Sequence, residues 1–76
     1  MEEYTFKELR MNSNLTQEKL AEKSGFSKDY ISMIERGERT PSDKAKMKFA
    51  RIFNVPPVQI FLAIQRTIST TRKEAK

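Results

Sequence analysis

Apolar residues recur along this chain at the three- and four-residue spacing of amphipathic helices, with short polar segments between the blocks. The pattern predicts a first helix from Thr5 to Asn12 and a fourth from Asp43 to Phe53. Two shorter helices lie between them, and a fifth has Pro56 and Pro57 in its first turn, because proline fits the first turn of a helix but not its interior. No strand is predicted. The expected fold class is all-α, a compact domain of five helices.

The two central helices occupy residues 16–37, TQEKLAEKSGFSKDYISMIERG, and the rest of the chain is organised around them. Thr16 and Ser27 are predicted N-caps, because each hydroxyl can accept a hydrogen bond from an amide one turn later. Gly25 lies at the bend, and Gly37 closes the second helix of the pair in the left-handed conformation that glycine adopts at low cost. The apolar positions predicted to face inward are Leu20, Ala21, Ile31 and Ile34. This arrangement is a helix-turn-helix.

The fifth helix carries more apolar residues than one helix face can hold. The stripe expected to face inward contains Val58, Phe61, Leu62, Gln65 and Ile68. Ile60, Ala63 and Ile64 then leave apolar surface beyond what one small core covers. Two interpretations of this extra surface stay open: a homodimer contact through the last helix, or tighter packing within the same domain.

Length and composition limit the chain to one small domain. Its 76 residues, 37% of them hydrophobic, suit a single domain over residues 1–66, and the polar residues 67–76 are predicted to form a flexible tail. The chain has no cysteine and no histidine, which removes the thiolate and imidazole groups of most metal sites and many catalytic sites. No metal, cofactor, small-molecule ligand or enzymatic activity is expected. The acidic start MEEYTFKEL lacks the apolar run of a signal peptide, and no membrane span is expected, so the predicted location is the cytoplasm.

The net charge of +5 is unevenly distributed. Residues 1–26 carry four basic and five acidic side chains, whereas residues 27–76 carry eleven basic and five acidic ones. The net charge therefore changes from −1 in the first part to +6 in the second, and the change falls at the second helix of the motif. A basic half of this kind suits an anionic polymer such as nucleic acid. Basic residues that only keep a small domain in solution would give the same count.

The motif and its flanks resemble a known family. The stretch LTQEKLAEKSGFSKDYISMIERG contains L-T-Q-x-x-L-A, G-x-S, Y-I-S and I-E-R-G in order, and is similar to the helix-turn-helix of lambda Cro/CI-type (XRE-like) repressors. FKELR before the stretch and PS after it continue the pattern, so the resemblance covers roughly residues 5–62. It implies a five-helix, lambda-repressor-like domain that binds double-stranded DNA.

The resemblance also implies a structural ion pair and shows one departure from the family. Family members with the residue types of Arg10 and Glu35 join the first helix to the end of the third through a partly buried ion pair. The chain departs from the family in the fourth helix, where Asp43 and Lys46 replace aliphatic residues. Either the Lys46 methylene stem covers the edge of the core, or Met47 takes its place after a small rotation of the helix.

Positions within the motif predict which side chains would meet DNA. The second helix of a helix-turn-helix lies in the major groove, and the N-terminus of the first faces the sugar-phosphate backbone. The outward residues expected to reach base edges are Lys28, Asp29, Ser32 and Met33. The residues expected at phosphates are Gln17, Tyr30, Arg36, Arg39, Thr40 and Lys44. Phosphate contacts position the helix without specifying sequence.

Two functional hypotheses follow. The first is a small sequence-specific DNA-binding transcriptional regulator of phage, mobile-element or restriction-system type, acting as a dimer because one domain reads only a few base pairs. The second is a phage antirepressor or modulator that binds another helix-turn-helix repressor through the same surface and blocks its DNA binding. The second is favoured by the single basic donor on the third helix, Lys28, by the apolar area of Tyr30 and Met33, and by the repulsion between Asp29 and DNA.

Overall fold

The computed structural model describes residues 4–74, with side chains through residue 69. This range contains five α-helices: α1 (Phe6–Asn12), α2 (Gln17–Ser24), α3 (Lys28–Glu35), α4 (Asp43–Phe53) and α5 (Pro57–Glu74). No residue from 4 to 74 is in a strand. The predicted all-α, five-helix fold is therefore confirmed, and the first and fourth helices begin and end within one residue of their predicted bounds.

Each of the first four helices has a hydroxyl cap at its start and a left-handed residue after its end. The caps are Thr5, Thr16, Ser27 and Ser42. The left-handed residues are Asn14 (φ 60°), Gly25 (φ 81°), Gly37 (φ 76°) and Asn54 (φ 60°). A Cβ added to Gly25 would meet nothing within 4 Å, so glycine is required there by its positive φ and not by close packing. These short-range signals are local to each connection, which explains why the sequence locates the helices well.

Phe6 lies at the centre of the hydrophobic core. Its ring contacts Phe49 edge-on, with 4.9 Å between ring centroids, and Phe53 with 5.5 Å between centroids. Edge-to-face pairs at these distances add about 0.5 to 1.5 kcal/mol beyond the burial of apolar area. The fully buried aliphatic residues of the core are Leu20, Ile31, Ile34 and Ile60. These aromatic contacts therefore pack α1 against α4.

The folded part of the chain extends beyond residue 66, where the sequence predicts a flexible tail. The helix α5 continues to Glu74, and Thr67 is buried. The Thr67 hydroxyl accepts a hydrogen bond from the Phe6 amide at 2.9 Å and donates one to the Ala63 carbonyl at 2.8 Å. A polar residue within the predicted tail is therefore part of the contact between α1 and α5, and the predicted boundary at residue 66 is wrong. Residues 75–76 lie outside the described range.

The inward face of α5 differs from the predicted one, although Ile68, which was predicted to face inward, does pack against the core. Its buried residues are Ile60, Ala63, Ile64 and Thr67, at the i, i+3, i+4, i+7 spacing of one helix face. Val58, Phe61 and Leu62, predicted to face inward, are exposed by 60%, 41% and 37%. We refer to these three residues as the α5 outer face. Although α5 has 18 residues, no helix in the described range is long and apolar enough to cross a membrane.

The fourth helix decides between the two alternatives that the sequence analysis left open for Lys46 and Met47. The Lys46 side chain is only 17% exposed, and its ammonium lies 4.8 Å from the centroid of the Phe61 ring and 3.7 Å from an Asp43 carboxylate oxygen. Met47 remains exposed. The structure therefore contains the first alternative, in which the aliphatic stem of Lys46 is covered and its charge remains at the surface.

A buried ion pair connects the first three helices. Arg10 Nε donates to Glu35 Oε2 at 2.6 Å, and the two side chains are 10% and 5% exposed. Arg10 Nη1 also donates to the Leu15 carbonyl at 2.7 Å, in the connection between α1 and α2. Gln17 Nε2 donates to Glu35 Oε1 at 3.0 Å, which adds the first turn of α2 to the same network. The position of α3 relative to α1 and α2 is therefore fixed by directional contacts as well as by apolar packing.

We expect Arg10→Ala to lower the free energy of unfolding by about 1 to 3 kcal/mol, because the substitution leaves the buried Glu35 carboxylate without its cation. Lys7→Ala is the matched control, since it removes an exposed positive charge from the same helix and should change the free energy by at most about 0.5 kcal/mol. Urea unfolding at neutral pH measures both. A loss for Arg10→Ala no larger than that of the control would show that the ion pair does not fix the fold.

We expect a chain truncated after Leu62 to lose cooperative folding, because truncation removes Ala63, Ile64 and Thr67 from the core. Deleting one buried Ile side chain alone costs about 2 to 5 kcal/mol, a large part of the stability of a small domain. Truncation after Glu74 is the control and should unfold like the full chain. Thermal unfolding, monitored by circular dichroism, measures the cooperativity of both chains. A cooperative transition in the shorter chain would contradict the described packing of α5.

Candidate nucleic-acid interface

The third helix presents one face to the core and one to solvent. Its Ile31 and Ile34 are buried in the same cluster as Leu20 of α2. The opposite side carries Lys28, Asp29, Ser32, Met33 and Arg36, which we call the α3 outer face. Lys28, Asp29 and Arg36 are exposed and the other two are half-buried. The four residues predicted to reach base edges therefore lie together, with Arg36 beside them.

Lys28, the basic residue at the start of this face, lies beside an acidic residue of the neighbouring helix. Its ammonium is 3.7 Å from a carboxylate oxygen of Glu18 on α2, and both side chains are exposed. An exposed pair at this distance contributes about 0 to 1 kcal/mol and is screened by salt, so a DNA phosphate or base could replace it. The sequence pattern did not identify Glu18 as a partner, because the contact joins two helices.

Arg36, which the sequence analysis expects at a phosphate, folds back along α3 and has two side-chain partners within the protein. Its Nη1 donates to the Ser32 hydroxyl, one helical turn earlier, and its Nε and Nη2 donate to the Glu38 carboxylate at 2.9 and 3.1 Å. The hydrogen bond from Arg36, followed by the charge of Arg36, lowers the pKa of the Glu38 carboxyl below its ordinary value. Glu38 is a residue of the site that the sequence analysis missed. The feature of the sequence that could have identified Glu38 is its position directly after Gly37.

Tyr30 and Arg39 form a second small group beside the outer face. The Tyr30 ring packs against Phe26, with 5.0 Å between ring centroids, and is half-buried. The guanidinium carbon of Arg39 lies 5.8 Å from the centroid of the same ring, within the range of a cation–π contact. The two predicted phosphate contacts are therefore neighbours, and Tyr30 is also part of the packing between the bend and α3.

The Gln17 side chain, which the sequence analysis expects at a phosphate, has a partner within the protein. Its amide nitrogen donates to Glu35, in the ion-pair network, so the side chain points partly toward the interior. As the first residue of α2, Gln17 also lies where backbone amides have no partner within the helix. Its side chain therefore positions the start of α2 relative to α3.

The remaining predicted phosphate contacts lie between the end of α3 and the first turn of α4. Thr40 and Lys44 are both exposed. An open pocket of about 270 Å³ adjoins Lys44 and is lined by Phe26, Ser42, Lys44, Ala45 and Lys48. Lys48, which the sequence analysis did not assign, donates to the Ser24 carbonyl at 3.0 Å at the end of α2. Lys44 and Lys48 are four residues apart and therefore lie on one side of α4. This spacing could have predicted that they share a location.

Comparison with known proteins agrees with this geometry. A family model described as helix-turn-helix matches residues 6–60. A protein of Archaeoglobus fulgidus, named an uncharacterized HTH-type transcriptional regulator, is 41% identical over 56 residues, which cover 74% of this chain and 79% of that protein. A protein of Sinorhizobium fredii with the same description is 36% identical over 67 residues, covering 88% of this chain and 87% of its own length.

A third protein with that description, from Methanocaldococcus jannaschii, is 47% identical over 49 residues, covering 64% of this chain and 74% of its own length. No solved structure gives a significant match to the chain. The family match contains all five helix starts and the whole motif from residue 16 to residue 37. The chain therefore belongs to the helix-turn-helix family, of the XRE type that its motifs resemble.

Proposed function

We propose that this protein is a sequence-specific DNA-binding transcriptional regulator that places α3 in the major groove. The observation that carries the proposal is the α3 outer face: polar and charged side chains lie on one side of a helix whose other side is buried. The relatives named as HTH-type transcriptional regulators support the same function.

The outer face offers chemical groups that suit base edges. The Lys28 ammonium can donate to guanine O6 and N7, and the Asp29 carboxylate can accept from cytosine N4. Ser32 can donate or accept, and the Met33 side chain can contact a thymine methyl group. These residues occupy positions i, i+1, i+4 and i+5 of a helix that starts at Lys28, which is where helix-turn-helix proteins read bases.

Basic and polar residues around this face suit the phosphate backbone. Arg39, Thr40 and Lys44 follow α3 and surround the start of α4, and the first backbone amides of α2 belong to Gln17 and its neighbours. Amides at a helix start and the positive end of the helix dipole both favour a phosphate. The net charge of +6 in residues 27–76 adds long-range attraction to the polyanion.

The structure weakens the arguments for a repressor-binding protein. Tyr30 and Met33, whose apolar area favoured that hypothesis, are half-buried. Arg36 is a second basic donor on the outer face, where the sequence counted only Lys28. The names of the relatives give no phage, mobile-element, restriction or antirepressor context. Capture of another helix-turn-helix repressor is therefore an outcome of the DNA-binding test and not a second proposal.

The α5 outer face supports self-association of the regulator. Three apolar side chains, Val58, Phe61 and Leu62, are exposed within one helical turn, and an exposed apolar cluster on a small domain is typical of an interaction site. A second copy is the partner that DNA recognition requires, because a two-fold dimer doubles the number of base pairs read. We therefore assign the proposed homodimer contact to Phe61 and Leu62, because Ile64, for which the sequence analysis allowed, is buried.

We expect the protein to enrich a short sequence from random double-stranded DNA and to bind it with an affinity that falls steeply as salt rises. The slope of log affinity against log salt should be about −0.9 for each neutralised phosphate. Lys28→Ala should remove about 1 to 3 kcal/mol of discrimination at one base pair. Arg39→Ala should weaken binding to every sequence alike and reduce the salt slope by about one. Titration at two salt concentrations measures these effects.

Lys7→Ala is the control for charge, because it removes one positive charge at an exposed position of α1. It should preserve both the sequence preference and most of the affinity. An absence of specific DNA binding at low salt would contradict the proposed function. Capture of a purified helix-turn-helix repressor in the same experiment would then favour the alternative.

We expect Phe61→Glu to abolish self-association, because the substitution removes the aromatic ring from the α5 outer face and puts a charged group, beside the Lys46 ammonium, where a second copy would have to bury it. Met11→Glu is the matched control, since Met11 is also an exposed apolar residue but lies on α1. Sedimentation equilibrium of both variants and the parent protein gives the masses. The interface is misplaced if Phe61→Glu associates as strongly as Met11→Glu, and the homodimer is refuted if the parent protein remains a monomer at high concentration.

A further inference from the structure

We infer that Arg36 is a base-reading residue, and that Glu38 is the positioning residue that holds its guanidinium for two hydrogen bonds to a single guanine. The inference rests on the proposed function, because it requires α3 to lie in the major groove. It moves Arg36 from the phosphate contacts to the specificity-determining ones. It also gives a role to an acidic residue that would otherwise weaken binding to a polyanion.

The location of the Arg36 guanidinium is the first argument. Arg36 follows the last residue of α3, but its side chain folds back along the helix and donates to the Ser32 hydroxyl, one turn earlier. The pKa of Arg36 is raised mainly by its hydrogen bond to Glu38 and the charge of Glu38, and in smaller part by the charge of Asp29, two turns earlier. The guanidinium therefore lies over the α3 outer face and not beyond its end.

The second observation is that the Arg36 guanidinium keeps N–H donors that could bind a base. A guanidinium has five N–H groups in a fixed plane. Two of them donate to the Glu38 carboxylate and one to Ser32. Two are left, one on each terminal nitrogen, and neither has an acceptor among the described side chains. Guanine presents two neighbouring acceptors in the major groove, O6 and N7, and arginine binds both at once.

The anchoring of Glu38 is the third argument. Gly37 adopts a φ of 76°, which turns the chain back over the end of α3. The Glu38 amide then donates to the Met33 carbonyl at 2.9 Å, and the Gly37 amide donates to the Ile34 carbonyl at 3.0 Å. The residue that holds Arg36 is thus bonded to α3 itself. A binding group is most precise when its support is attached to the same rigid element.

The ion pair between Arg36 and Glu38 is better suited to orienting the guanidinium than to stabilising the fold. Both side chains are more than half exposed, and exposed ion pairs contribute little to the free energy of folding. Holding a flexible side chain before binding reduces the conformational entropy that is lost on binding. Lys28, by comparison, offers a single flexible ammonium near Glu18. The planar guanidinium is therefore better suited than Lys28 to recognise one guanine.

The test is selection of duplexes from a random double-stranded DNA library by the parent protein and by Arg36→Lys, Arg36→Ala, Glu38→Gln and Arg39→Ala. The parent should enrich a site with a defined G·C pair. Both Arg36 variants should lower the preference for that pair by about 5- to 150-fold, even though Lys keeps the charge. Glu38→Gln should lower the same preference by a smaller factor, while its binding to random DNA rises because a negative charge is lost. Arg39→Ala should weaken all sequences alike.

Thermal unfolding of each variant shows whether a loss of preference comes from a loss of fold. If the parent enriches a site and both Arg36 variants keep its sequence while binding every duplex more weakly, Arg36 is a phosphate contact and the inference is wrong. If Glu38→Gln tightens binding to all duplexes and keeps the preference, Glu38 only competes with DNA for Arg36, and its positioning role is wrong. If the parent enriches no sequence, the proposed function fails and the inference fails with it.

Discussion

The contact between Arg10 and Glu35 is the constraint on which the position of the α3 outer face depends. It joins α1 to the end of α3, and through Gln17 and the Leu15 carbonyl it also includes the connection and first turn of α2. A buried ion pair contributes little net stability compared with apolar residues of the same size, but loss of one partner is costly. Its main effect in this fold is therefore geometric: α3 can occupy only the orientation in which Glu35 faces Arg10, and its outer face points to solvent.

Most of the fold could be predicted from the sequence because the helix boundaries depend on local chemistry. Hydroxyl caps and left-handed Gly or Asn residues act within one turn, so the spacing of these residue types is sufficient. The orientation of α5 could not be predicted in this way, because six of the seven residues from Val58 to Ile64 are apolar and allow two faces. The face that packs inward includes Thr67, whose hydroxyl accepts a hydrogen bond from the Phe6 amide across the domain. Such a contact, 61 residues apart, leaves no periodic signal.

The candidate site was predictable to a similar degree. The motif places Lys28, Asp29, Ser32 and Met33 on one face, and the structure brings them together. The partners of the charged residues were not predictable, because each pairing depends on side-chain direction. Arg36 turns back to Glu38, and Lys28 faces Glu18. The residues that share the α3 outer face could therefore be predicted from the sequence, whereas the partners of their charged groups could not.

We propose that the α3 outer face meets DNA while the α5 outer face remains available for a second copy. The most direct measurement is the change in backbone amide chemical shifts when duplex DNA is added to isotope-labelled protein at low salt. We predict that the largest changes fall at residues 28–33 and 36–40 and at the start of α2, and that they exceed the changes at the exposed residues of α1. Changes concentrated on α5, with α3 unaffected, would contradict the account.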